Sequence, residues 1–109
     1  MPFETINMEG ITEDRRKGIA ASIRTISVEE LMTLGERLFP FTDDPWQQKF
    51  FGFIAENATA TFHHAMTHDG VQIIYCHAKG KGMWFMPGTG MGPMQPKGLA
   101  TLKQIVEGK

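Results

Sequence analysis

Apolar residues recur at helical spacing through the first half of the chain and at strand-like spacing through much of the second. From Thr12 onward, Ile19, Ala20, Ile23 and Ile26 follow one another at short helical intervals. They predict a first helix capped by Thr12, with Glu13 and Asp14 in its opening turn and Gly18 weakening its interior. Ser27 and Glu30 stand in the S-x-x-E relation, in which hydroxyl and carboxylate satisfy the amides orphaned at a helix start. A second helix over 28–39 follows, with Val28, Leu31, Met32, Leu34, Leu38 and Phe39 covering more than a narrow stripe; it reads as buried until Pro40 stops it. Asp43 or Asp44 caps a third helix over 45–57, where Pro45 sits near the first position and Trp46, Phe50, Phe53 and Ile54 share a face.

Beyond Asn57 the period shortens. Residues 58–67 are rich in Thr, aromatic and small side chains, His68-Asp69-Gly70 is a turn, and 71–78 is strongly β-prone, so the two segments read as a hairpin. Lys79-Gly80-Lys81-Gly82 makes the next turn, and 83–86 gives a short third strand ended by Pro87. A last helix carries Leu99, Leu102, Ile105 and Val106 inward and Lys103 and Glu107 outward. The expected fold is α+β: a three-stranded antiparallel meander with helices packed on it, in the order α-α-α-β-β-β-α. The expected organisation is one domain over 1–109, with 1–10 an irregular lead-in and 87–98 a Gly/Pro-rich loop before the C-terminal helix.

With Asp69 and Gly70 as the central turn residues, Met66 falls opposite Ile73, His64 opposite Tyr75 and Phe62 opposite His77 on one face. Trp84 and Met86 join them from the third strand. The other face pairs Ala65 with Ile74 and His63 with Cys76, and adds Thr61, Met83 and Phe85. That second face is also too apolar for water, whereas a one-sided antiparallel sheet shows polar residues there. The N-terminal helix, a bound ligand or a second copy of the chain is expected to cover it, with a homodimer or a lined pocket favoured.

Composition narrows the function classes. A chain of 109 residues with 41% hydrophobic and 21% charged residues is of ordinary globular character. A net charge of -1 provides no field to concentrate nucleic acid or an anionic membrane. Apolar runs are far short of the roughly 20 residues that span a bilayer. Cys76 is the lone cysteine, so no intramolecular disulfide forms; Glu4, Glu9, Glu13 and Asp14 do not read as a signal peptide, and the cytoplasm is the expected compartment. No cofactor is implied.

Candidate chemistry lies in the second half of the chain. A thiol beside an imidazole is a nucleophile and base pair, which makes Cys76 and His63 catalytic candidates. Imidazole and thioether groups are ligands for zinc or copper, which makes His64, His77, Met83 and Met86 metal candidates, with Met91 and Met94 extending the methionine run. Against both, strand alternation scatters these groups over two faces, and core histidines satisfied by hydrogen bonds are the plainer account. Gly88, Gly90 and Gly92 precede a helix, as in loops that cradle a phosphate, with Lys97 as a cation; Pro93 and Pro96 remove amides such a nest would use. The favoured function is a non-catalytic domain that self-associates or binds a small apolar ligand through the meander and the glycine-rich loop. Tyr75, His77, Trp84, Met86 and His64 are the expected lining. The alternative is soft-metal handling or a Cys/His-based enzyme.

Overall fold

In a computed structural model, which describes residues 13–108, the helix starts follow their capping chemistry. Ser27 Oγ accepts from the Glu30 amide at 3.1 Å and opens α2 (Val28–Leu38). Asp44 Oδ1 accepts from the Trp46 amide at 2.9 Å and opens α3 (Pro45–Glu56), with Pro45 at its first turn. Ahead of them lies α1 (Glu13–Ser22), and α4 (Pro96–Glu107) ends the described chain. The expected Thr12 cap and the 1–10 lead-in lie outside the described residues.

The α+β class holds, but the three-stranded meander does not. The sheet has five antiparallel strands in sequence order: β1 (Arg24–Ile26), β2 (Thr61–Met66), β3 (Gln72–Ala78), β4 (Lys81–Met86) and β5 (Gly90–Pro93). The element order is therefore helix, strand, helix, helix, four strands, helix.

Both added strands have local causes. The first helix stops at Ser22, whose hydroxyl accepts from the Met66 amide at 2.8 Å and lies 2.8 Å from the Gly18 and Met66 carbonyls. That anchor sets the following β-branched residues against β2, with Thr25 opposite His63 and Ile26 opposite Phe62. The 87–98 segment is not a plain loop: residues 90–93 pair with β4, and one of its glycines is covered by an aromatic ring. Gly92 lies opposite Trp84, and a Cβ at Gly92 would sit 3.2 Å from the Trp84 ring, so the indole fills the space a side chain would take. Pro93 is tolerated because β5 is an edge strand.

Each face of the sheet is covered by helices of the same chain. On one, Ile19 of α1, Ile23 just after it, and Leu99 and Leu102 of α4 pack with Ala65, Ile73, Tyr75, Trp84 and Met86. On the other, Leu31 and Leu34 of α2 and Phe50, Phe53 and Ile54 of α3 pack with Phe62, Ile74, Cys76 and Phe85. Phe85 is the hub of this second core, its ring centroid 5.3 Å from Phe53, 5.6 Å from Phe50 and 5.9 Å from Trp46. Of the apolar second face read from the sequence, Ile74, Cys76, Met83 and Phe85 do lie together, but α2 and α3 cover them rather than the N-terminal helix, a ligand or a second copy, and Ala65 belongs to the opposite face. Among the described residues no helix is long and apolar enough to cross a membrane.

Candidate functional site

The site is set by the turn between β2 and β3. Thr67 and Val71 close it: the Thr67 amide donates to the Val71 carbonyl at 3.0 Å, and the Gly70 amide donates to the Thr67 carbonyl at 3.0 Å. The loop therefore has three residues, His68-Asp69-Gly70, with Gly70 at φ 86°, the left-handed position that a three-residue hairpin gives to glycine. Thr67 reinforces it from the side, its hydroxyl bonding Asp69 and accepting from the Val71 amide at 3.0 Å.

This moves the β2 register by one residue from the two-residue turn read in the sequence. Phe62 pairs with Cys76, His63 with Tyr75 and Ala65 with Ile73. The β3 to β4 pairing keeps its expected parity, with Tyr75 opposite Trp84 and Cys76 opposite Met83. A one-residue slip exchanges the faces of a whole strand. His63 leaves the Cys76 face and joins His77 diagonally across β2 and β3.

The two imidazoles meet end to end. Their Nε2 atoms are 2.9 Å apart, their ring planes differ by 19° and their centroids are 5.0 Å apart. The centroid separation exceeds the nitrogen separation by 2.1 Å, close to two imidazole radii, so the rings share an N–H···N hydrogen bond along their common line rather than stacking face to face. One ring donates and the other accepts. At the far end of His63, Nδ1 lies 3.2 Å from the Thr25 hydroxyl, which can donate or accept and so completes the chain in either direction.

Their surroundings keep the pair neutral. His63 is only 3% exposed, and burial, with the neighbouring His77 charge second, pushes its pKa down to about 4. His77, half-buried, is also lowered, first by burial and then by Lys103. Thr61, Lys103, Val106 and Glu107 complete a depression of about 290 Å³ around the two rings. His77 also lines a second depression of about 350 Å³ with Asn57, Ala60, Cys76, Met83 and Pro93.

The other candidates lie apart. Cys76 is buried on the α2–α3 face, where burial pushes its thiol up to about 11, and His63 lies on the opposite face. His64 donates from Nε2 to Gln72 Oε1 at 2.6 Å, away from His77. Tyr75, Trp84 and Met86 are core residues under α1 and α4, with at most 2% exposure. Met86 and Met94 belong to that core, Met83 packs on the other, and Met91 is exposed, so the methionine run does not converge. Gly90 and Gly92 lie in the ladder with β4, Gly88 is in the preceding turn at φ 81°, and Lys97 sits exposed in the first turn of α4.

Thr25, Lys103 and Glu107 were not among the residues the sequence singled out. Thr25 lies within a segment that reads as helical. Lys103 and Glu107 were assigned to an outer face; their spacing of four puts them on one flank of α4, but no pattern in the sequence places that flank beside His63 and His77. Among the described residues no group of three or more His, Cys, Asp or Glu is placed so that it could hold a metal ion. Comparison with protein-family models, curated proteins and solved structures finds no match for this chain.

Proposed function

We propose that the protein is a non-catalytic binding domain that holds a small polar molecule in the depression formed by His63, His77, Lys103 and Glu107. The observation that carries this is the imidazole pair itself. Two neutral rings linked end to end present a donor or an acceptor to the cavity without a net charge, and a cation and a carboxylate stand beside them. A small molecule with both donors and acceptors matches that lining better than the purely apolar ligand read from the sequence. Self-association loses its main argument, because α2 and α3 cover the face that suggested it.

Nitrogen-15 NMR of the chelator-treated protein against a library of small polar fragments tests this reading. Binding that perturbs His77 and the Lys103 amide, and that His77→Ala abolishes, is the expected result. Fragments that bind only elsewhere, or a protein that binds none, would refute it.

A further inference from the structure

We infer that the depression around His63 and His77 takes a small zwitterion: a carboxylate and an ammonium group on a short carbon chain, as in an amino acid. This rests on the assignment of that depression as the binding site and names the class of its ligand. Two opposite charges line it, and they do not satisfy each other. Lys103 and Glu107 lie four residues apart on α4 with the lysine first, which is the weaker order for an ion pair within a helix. Among the described residues the two form no ion pair with each other, so both heads are open to a ligand. Their positions are separated by about 6 Å along the helix axis, at 1.5 Å of rise per residue. The depression thus has a cationic end and an anionic end.

The imidazole pair decides which end takes which group. Lys103 is the charge that acts on His77, so these two residues mark the end that faces a carboxylate. His77 Nε2 is committed to His63, which leaves Nδ1 as its remaining hydrogen-bonding atom. When the Thr25 hydroxyl donates to His63 Nδ1 and His63 Nε2 donates to His77, the His77 proton sits on Nδ1, as a donor for a carboxylate oxygen. Glu107, one turn further along α4, takes the ammonium group, Thr61 adds a hydroxyl, and Val106 gives the carbon chain an apolar contact. Two quantities fix the class. With both imidazoles neutral, Lys103 and Glu107 balance, so a ligand of a single charge leaves one head unmatched. The volume of about 290 Å³ is just below the roughly 300 Å³ at which sites for drug-sized molecules begin, which limits the ligand to a few heavy atoms.

The experiment is a nitrogen-15 NMR titration of the full chain near neutral pH with glycine, β-alanine and γ-aminobutyrate. Acetate, butyrate and ethylamine are the single-charge probes. At least one amino acid should bind saturably and shift the amides of His77, Lys103 and Glu107, with each single-charge probe about 10-fold weaker or more. Lys103→Met and Glu107→Gln should each weaken binding of the amino acid about 10-fold, while Lys97→Met and Glu56→Gln leave it unchanged. Neither Lys103 nor Glu107 is buried, so both variants are expected to fold, and an unchanged spectrum away from α4 checks this. Lys103→Met should keep the ethylamine response and Glu107→Gln the acetate response, a crossed pattern that loss of the fold does not produce. Single-charge probes that bind as tightly as the amino acids, or amino-acid binding that survives both substitutions, overturn the inference. Uncharged polar fragments that bind at His77 while no amino acid does would overturn this inference and leave the proposed function standing.

Discussion

Thr67 and Val71 close the β2–β3 hairpin around three residues, and that single pairing decides which histidines meet. A closure one residue tighter would set His63 beside Cys76. The observed closure sets it beside His77, with the nitrogens 2.9 Å apart.

Gly70 should therefore be sensitive out of proportion to its exposure. It has open space around it, but its φ of 86° is one that a side chain strains. Gly70→Ala should lower stability by about 1 kcal/mol, measured by urea unfolding. A neutral substitution would contradict the three-residue turn.

Cys76 should behave as an inert thiol. It is 2% exposed, and burial pushes its pKa up to about 11, so almost none is thiolate near neutrality. Ellman's reagent at pH 8 should react slowly with the folded protein and fully once urea is added. Rapid reaction of the folded protein would restore the thiol as a candidate nucleophile.

These two residues show what the sequence could and could not reveal. Helix starts were legible because Ser27 and Asp44 act on amides only two or three residues away. The β3 to β4 parity was legible because alternate turns between those strands differ by two residues. The β2 register was not. His68-Asp69-Gly70 serves a two-residue or a three-residue turn, and the bonds of Thr67 that choose between them are side-chain contacts without a periodic signature. The fifth strand was hidden for a different reason. Glycine and proline count against a strand until Trp84 is known to lie over Gly92. The candidate site inherited the register error: His63 and His77 were both singled out, but in separate groups.

Acid should destabilise the protein. His63 takes a proton near pH 6.5 when unfolded and only near pH 4 when folded, and His77 and His64 are shifted in the same direction. Between those values the unfolded chain binds more protons, so stability is full above about pH 6.5 and falls as the pH drops. The groups facing His63 include His77, with Lys103 and Glu107 on α4. Urea unfolding should show a loss of about 2 kcal/mol from pH 7 to pH 5 on account of His63. Stability that is flat or rising over that range would count against a buried neutral imidazole.

The most direct measurement is of the hydrogen bond between the two rings. Nitrogen-15 NMR of chelator-treated, histidine-labelled protein should detect a coupling through the hydrogen bond between His63 Nε2 and His77 Nε2, with His63 still neutral at pH 6. Two uncoupled imidazoles, each titrating independently near pH 6.5, would contradict the pairing and the site built on it.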